Sequence, residues 1–498
     1  MSPPRICNIL KYTRHDAHAM ISPEEMRVLD RNCEFFGVSV QELMEKAGMA
    51  VADAVVSKLD GKGKNVLILC GTGNNGGDGL TAARYLKDNA RVTVILARSA
   101  DKLATREAAE AYQRVKSQVT MMEAPHRLDE MLGEADIVVD GLLGIGMRGE
   151  IKEPYASMIQ RVNSCGKPVL SIDVPSGLGA SVTVKPTATV ALHDVKTGMT
   201  PENSGQIIVA DIGIPQEIVS RVGPGEFLYY PRKKEASHKG ENGRLLVVGG
   251  GPFTGAPAFV GLAAYRIGVD VVHIATPTIA YPVIASFSPN FIVHQLAGSR
   301  LLRADIPQIA EIATGMDAVV IGPGLGSSDA TLEAVHELIP NISIPIVIDA
   351  DGITGVSKNL NCLKGKKGVI TPHAREYKVL SGEKLPDDLT QKTEMVKAFA
   401  KRIGFTILLK GPTDIITDGD RVKFNITHNP SMTVGGTGDS LAGIVGGLLA
   451  KHVRPFEAAR IAAFTNGYAG NIAFKEKSYG MMTSDLIERI PNVLLEFL

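Results

Sequence analysis

Short, continuous apolar runs that stop at glycine-rich or acidic turns recur along this chain, and they leave few folds open. Asn65-Val-Leu-Ile-Leu-Cys70 has no polar alternation, so both faces of the strand it forms must be covered, as in a parallel sheet. The run stops at Gly71-Thr-Gly-Asn-Asn-Gly-Gly-Asp-Gly79, and residues 80–86 then read as a helix. Parallel strands require crossover connections, so this order predicts an α/β domain with ligands at the carboxyl ends of its strands. Strands are predicted at 91–96, 137–140 and 168–172, then in a second series at 244–248, 270–275, 318–321, 345–350, 368–370 and 405–410. Asp418-Gly419 marks a hairpin turn onto residues 421–425. A length of 498 residues suits two such domains. The Pro-containing, charged stretch from Phe227 to Gly240 is the connector, with the boundary placed at Pro231.

The most pointed turn is Thr433-Val-Gly-Gly-Thr-Gly-Asp-Ser-Leu-Ala-Gly443. Gly435, Gly436 and Gly438 crowd before Asp439, and the small, apolar run 441–450 reads as a helix. Free backbone N–H groups and the positive end of a helix dipole there make an anion site, suited to a phosphoryl group. A carboxylate on such a turn suits a general base that takes a proton from an attacking hydroxyl. The competing reading is a helix whose N-cap is the aspartate.

Lys+Arg and Asp+Glu both number 53, so no basic or acidic field argues for nucleic acid or a membrane surface. No apolar run approaches the roughly 18 residues of a membrane span. The five cysteines are scattered without a CxxC, which signals neither a zinc site nor a disulfide framework; reduced thiols and a cytoplasmic location are expected. Residues 1–20 lack a signal-peptide core and are expected to form an extension, with Met20 as a candidate alternative start. Ser22-Pro23-Glu24-Glu25 and the Ser39/Glu42 pair open two helices, expected to pack or to support dimerisation without chemistry.

The first glycine turn does not have the GxGxxG spacing of an ordinary dinucleotide fingerprint. Asn74, Asn75 and Asp78 offer amide and carboxylate oxygens of the kind that ligate a hard cation. Two further strands end in Asp140-Gly-Leu-Leu-Gly-Ile-Gly-Met-Arg-Gly-Glu150 and Asp173-Val-Pro-Ser-Gly177. Together, Asn74 to Gly79, Val139 to Gly144 and Ile172 to Gly177 resemble the signature of the NAD(P)H-hydrate epimerase domain, over residues 21–230. The resemblance implies a Rossmann-like, three-layer domain that binds a hydrated nicotinamide dinucleotide and a potassium ion. It puts Asn75, Asp140 and Ser176 at the potassium site. It puts Asn74, Asn75, Gly76, Gly77, Asp78, Gly144, Ile145, Gly146, Met147, Arg148, Gly149, Glu150 and Asp173 on the substrate. Asp173 is the candidate to shuttle a proton during inversion at C6; the motif leaves open which group is acid and which is base.

In the second half, Gly322-Pro-Gly-Leu-Gly326, Asp349-Ala-Asp-Gly352, Thr371-Pro-His373, Lys410-Gly-Pro-Thr-Asp414 and the turn at Asp439 follow one another. This series resembles the ribokinase-like fold, and more specifically the ADP- or ATP-dependent NAD(P)H-hydrate dehydratase, over residues 231–498. The resemblance implies that Lys410, Gly411, Pro412, Thr413, Asp414 and Gly438 bind the adenine nucleotide. It assigns Ala256, Gly324, Gly326, His373 and Asp439 to the hydrated substrate, with Asp439 as the catalytic base. Asp349 and Asp351 are candidates to face magnesium through water, with surface or capping roles as the equal alternative. Ser431 stands where the family more commonly has glycine.

The whole is identified as a bifunctional repair enzyme that epimerises the R and S hydrates and dehydrates the S form with ADP or ATP. Potassium and magnesium are the expected cofactors, small molecules the expected partners, and a homo-oligomer the expected assembly. A small-molecule kinase fused to a binding domain, and a non-catalytic nucleotide sensor, remain as alternatives from the residues alone.

Overall fold

A computed structural model describes residues 10–11, 20–123, 127–147 and 149–498. The chain divides into two compact units, residues 1–219 and 220–498.

In the first unit an eight-stranded sheet runs in the spatial order Leu10–Lys11, Gln206–Ala210, Ala188–Leu192, Val169–Ile172, Ile137–Gly141, Asn65–Cys70, Arg91–Leu96, Thr120–Glu123. Every pairing is parallel except that of Leu10–Lys11, which adds antiparallel to Gln206–Ala210, so part of the expected N-terminal extension is an edge strand. Successive side chains of a strand point to opposite faces. Val66, Ile68 and Cys70 accordingly pack beneath the helices Pro23–Phe35, Val40–Lys58 and Asn74–Leu86. Leu67 and Leu69 pack on the other face against Leu128–Glu134 and Tyr155–Ser164. The two leading helices start where expected, with Ser22 Oγ accepting from Glu25 N at 3.1 Å and Ser39 Oγ from Glu42 N at 3.4 Å.

The second unit holds a nine-stranded sheet, in the order Phe291–Gln295, Val271–Thr276, Arg244–Val248, Ala318–Ile321, Ile346–Ile348, Gly368–Ile370, Thr406–Leu409, Asp414–Thr417, Val422–Asn425. The first seven strands are parallel, and the last two turn back as an antiparallel hairpin. Leu245, Val247, Val320 and Val347 meet the helices Gly255–Arg266, Thr437–Ala450, Pro455–Lys477 and Thr483–Phe497. Leu246, Val248, Val319 and Ile348 meet the helices of the opposite face. Both units are three-layer α/β sandwiches with covered parallel strands, the first Rossmann-like and the second ribokinase-like.

The division between residues 219 and 220 falls eleven residues before the expected boundary at Pro231. The reason is packing. Pro224–Tyr229 forms a short helical turn whose Phe227 is buried against Phe464 and Phe497, and whose fully buried Glu226 pairs with the fully buried Arg460. A charged connector composition concealed a segment that belongs to the second core.

Candidate active sites

The first site forms where three parallel strands of the first unit end. After Asn65–Cys70 the chain turns directly into the helix Asn74–Leu86, so Asn74, Asn75 and Asp78 sit in its first turns. A cavity of about 520 Å³ there is lined by Asn74, Asn75, Asp78, Gly144, Ile145, Gly146, Met147 and Asp173, among others. Gly76 and Gly77 face protein instead: a Cβ on Gly76 would collide with the Gly71 carbonyl, and one on Gly77 would lie 2.5 Å from Met44 Cε. Their part is to let the turn close. Gly149 and Glu150 are exposed and outside the lining. Arg148 lies outside the described residues.

Asp173 follows the strand Val169–Ile172 with φ at 65°, a conformation that costs an aspartate strain and that its partners must hold. Those partners are specific. The Lys196 ammonium, fully buried, pairs with Asp173 Oδ1 and donates also to the Leu192 carbonyl; Leu192 N donates to the same carboxylate oxygen at 3.2 Å. Two more carboxyls share the cavity. Burial, then the charges of Asp173 and Asp30, push Asp78 well above the usual carboxylate range. Burial, then Asp173, push Asp30 up to about 6. Neither Lys196 nor Asp30 was singled out from sequence. A lone lysine after a strand and an aspartate inside an amphipathic helix carry no motif, and only the fold brings them to Asp173. The leading helix pair, expected to pack or to support dimerisation without chemistry, supplies Met26, Arg27, Asp30, Leu43, Met44 and Ala47 to the cavity wall.

Asp140 and Ser176 are hydrogen-bonded to each other, and Asn75 lies against Gly141 and Gly144 in the turn that follows Asp140. Fully buried Asp140 accepts from Ser176 Oγ (2.5 Å) and Leu142 N (3.3 Å) on Oδ1, and from Ser171 Oγ (2.8 Å) and Ser176 N (2.9 Å) on Oδ2. Burial raises its carboxyl, and the Ser176 and Ser171 hydrogen bonds oppose that rise. Asn75 is different: both atoms of its side-chain amide are buried with no hydrogen-bond partner, next to Gly144. The orphaned amide oxygen, the Asp140 carboxylate and the Ser176 hydroxyl together offer only oxygen donors and a single negative charge. That chemistry fits a large monovalent cation.

The second site lies at the strand ends of the second unit. Lys410, Gly411, Pro412, Asp414 and Gly438 share a second cavity, also about 520 Å³, with His428, Asn429, Pro430, Met432, Thr437 and Asn466. The flat apolar surfaces of Pro412, Pro430, Met432 and Leu441 suit a purine ring. Thr413 is not in the lining, and Asp414 works inward: its carboxylate accepts from Gly411 N and Asn425 Nδ2, both at 2.9 Å, and pins the loop. No local motif marks the neighbours His428 and Asn429, nor Asn466 on the helix Pro455–Lys477, and only the fold brings the two segments to one cavity.

Asp439 lies in the first turn of the helix Thr437–Ala450, whose N-cap is Gly436 at φ 99° with no side-chain cap. The competing reading of Asp439 as the N-cap is thereby set aside. Burial, then the charge of Asp349, push its carboxyl up to about 7 against the pull of Lys410. The Lys410 ammonium lies over this turn, 3.3 Å from where a Cβ on Gly438 would be, and pairs with Asp349 Oδ1 at 2.9 Å and Glu376 Oε2 at 3.7 Å. Burial disfavours the Lys410 charge, yet Asp349 and Glu376 outweigh burial and raise it. Asp349 also accepts from Thr371 Oγ1 at 2.7 Å, and Asp351 from Gly326 N at 2.8 Å. His373 caps its own helix: Nδ1 accepts from Arg375 N (3.1 Å) and Glu376 N (3.2 Å), while Nε2, on a half-exposed ring, lies 3.5 Å from Glu376 Oε1. Gly324 stands against Ala256, a Cβ there falling 3.4 Å from the alanine Cβ. Ala256, Gly324, Gly326, His373 and Asp439 lie outside the lining of the Lys410 cavity.

Known proteins divide the chain the same way. Residues 245–492 match the family described as NAD(P)H-hydrate dehydratase, and residues 40–198 match the YjeF-related protein N-terminus. The bifunctional NAD(P)H-hydrate repair enzyme of Hyperthermus butylicus is 40% identical over 497 residues, covering 95% of this chain and 92% of its own. That of Pyrobaculum aerophilum is 40% identical over 501 residues, covering 96% and 98%. A solved structure of the ADP/ATP-dependent NAD(P)H-hydrate dehydratase from Bacillus subtilis, co-crystallized with ATP/Mg2+, is 25% identical with a TM-score of 0.48, covering 55% of this chain and 97% of its own. With both domains matched and near-full-length identity to two such enzymes, the chain belongs to the bifunctional NAD(P)H-hydrate repair enzyme family.

Proposed function

We propose that this chain restores damaged nicotinamide cofactors, the first unit interconverting the R and S hydrates of NADH and NADPH and the second dehydrating the S form with ADP or ATP. The observation that carries the reading is the pairing, in one chain, of the two cavities described above. One is built around an ion-paired aspartate at a strand end. The other joins a glycine turn and a partly buried lysine, and the same turn carries, beside the cavity, an aspartate held near neutrality.

In the second unit Asp439 takes the proton of the substrate's C6 hydroxyl as that oxygen attacks the terminal phosphoryl group. Its carboxyl, held up to about 7, is poised to accept a proton near neutral pH. Lys410 and the N–H groups around Gly438 stabilise the phosphoryl charge. Hydroxide is a poor leaving group and phosphate a good one, and the ring nitrogen then expels it. Asp349 and Asp351 are the carboxylates that would hold magnesium, through water, and the ion would neutralise charge on the nucleotide phosphates. In the first unit Asn75, Asp140 and Ser176 would hold potassium, whose charge would steady the loops around the substrate phosphates. Asn74, Asn75, Gly144 and Gly146 line the path proposed for the dinucleotide, and Asp173 moves a proton at the C6 centre. The free thiols of Cys33, Cys70, Cys165 and Cys362 accord with a cytoplasmic setting.

The test is to incubate the full chain with a mixture of both NADH hydrates plus ADP or ATP and follow the reduced-nicotinamide absorbance. Recovery of the whole mixture is expected. Recovery of the S share alone, at the spontaneous epimerisation rate, removes the first activity; no recovery with either nucleotide overturns the reading.

A further inference from the structure

Asp30 has no place in the assignments above, yet it lines the first cavity together with Asp78 and Asp173. It projects from the helix Pro23–Phe35 and lies within electrostatic reach of Asp173 and Lys196. Among the described residues it has no hydrogen-bond or ion-pair partner, whereas Asp173 Oδ1 is taken by Lys196 and by Leu192 N. The cavity thus offers two unlike groups. Asp173 is a carboxylate fixed by a buried ammonium. Asp30 is an idle carboxyl against the apolar wall of Leu43, Met44 and Ala47.

The chemistry at C6 asks for such a pair. In the hydrate, C6 carries the hydroxyl and is also bonded to the ring nitrogen. Its hydrogen is not acidic, so inversion requires breaking a bond from C6 to oxygen or nitrogen, with a proton taken at one heteroatom and given at the other. Resting on the epimerase reading of this site, we propose that Asp30 is the second proton-transfer residue of the epimerisation, acting opposite Asp173.

Asp173 takes the proton of the C6 hydroxyl, and the C6–O bond becomes a carbonyl. The C6–N1 bond breaks, its electron pair stays on N1, and N1 takes a proton from Asp30. The open aldehyde turns about its C5–C6 bond, and N1 attacks the other face of the carbonyl. Asp30 recovers its proton from N1, and Asp173 returns the other to oxygen. No atom is exchanged and nothing is oxidised or reduced. A group that gives and retakes a proton in one turnover works best when it titrates near the working pH. Burial and Asp173 hold Asp30 up to about 6. The other ionisable groups around it are Asp78 and Lys196 from their own elements, Tyr155 from the helix Tyr155–Ser164, and Arg27 and Cys33 from its own helix; Val40–Lys58 contributes apolar side chains only to the cavity.

The experiment follows epimerisation of (R)-NADH hydrate by the full chain, the Asp30→Asn variant and the Asp30→Glu variant between pH 5 and 9, with dehydration of the S form measured on the same samples. Because the ring opens with Asp30 protonated, kcat for the unaltered chain is expected to fall as pH rises past about 6. Asp30→Asn is expected to lose that limb and to lower kcat by about 10²-fold or more, with KM little changed and dehydration intact. Asp30→Glu, which keeps the acid, is expected to recover part of the rate and the limb. A kcat within about threefold of the unaltered chain in Asp30→Asn, or a loss confined to KM with the limb retained, overturns the proposal. If Asp30→Asn does not fold, the Asp30→Glu profile decides: a limb at the same pH with no change in kcat also overturns it. No epimerisation by the unaltered chain overturns the functional reading, and this inference with it.

Discussion

Asp439 owes its chemistry to its surroundings. Burial and Asp349 raise its carboxyl to about 7 while Lys410 pulls it down, so it is a base only once it has lost its proton. Dehydration kcat/KM should therefore rise through about pH 7 and level off above it. Asp439→Asn keeps the shape, leaves the Gly436 cap in place and cannot accept a proton; dehydration should fall by about 10²–10⁴-fold and lose the pH limb, while epimerisation stays unchanged. Parallel assays of both reactions check it, and near-normal dehydration would return Asp439 to a structural role. Asn75 is the counterpart in the first unit. Its amide is buried without a partner, a cost of about 1–3 kcal/mol unless a ligand takes it up. Epimerisation should be faster in potassium than in a bulky organic cation, and Asn75→Ala should abolish that difference; equal rates in both salts would speak against the cation.

At the scale of elements, the helix Thr437–Ala450 sets where Asp439 stands. Its small residues are there for closeness: a Cβ on Gly443 would collide with the Val260 carbonyl of the helix Gly255–Arg266, and one on Gly446 would sit 2.5 Å from Val320 Cγ2 on the sheet. Gly443→Ala must push two backbones apart. It should cost about 1–3 kcal/mol, seen as a lower melting temperature, and should reduce dehydration by displacing the first turn of the helix. An unchanged melting temperature would mean that the two helices can separate freely. The leading helices show the opposite case. Their caps and spacing foretold two helices and nothing more, yet one face of the pair closes the epimerase cavity and delivers Asp30.

Across the whole molecule, each unit has its own covered sheet, so each should work alone if cut in the right place. Residues 1–219 should epimerise and residues 220–498 should dehydrate. A fragment starting at Pro231 should fare worse, because it lacks Glu226 and Phe227 and leaves Arg460 buried without its carboxylate. Removing one member of a buried ion pair costs about 3–5 kcal/mol. Melting curves of fragments starting at residues 220 and 231 compare the two boundaries; equal stability would show that the Glu226 pair is dispensable.

Read alone, the chain determined a good deal. Unbroken apolar runs ending in glycine turns have only one stable solution, parallel strands covered on both faces, and both sheets are built so. The turns then had to lie at the carboxyl ends of strands, which is where Asn75, Asp140, Asp173 and Lys410 are found; Asp439 instead opens a helix, beyond a short helical turn that follows the last strand. What the tertiary structure decided are the relations between distant residues. Lys196 and Asp30 lie 23 residues after and 143 residues before Asp173, and nothing local marks either. Glu226 finds Arg460 across more than two hundred residues, and so moves the domain boundary. Backbone preference and hydrophobic burial act over a few neighbouring residues and can be read as a string. A carboxyl's proton affinity depends on the charges and solvent that folding sets around it, and for Asp30 and Asp439 that setting is assembled from segments far apart in the chain.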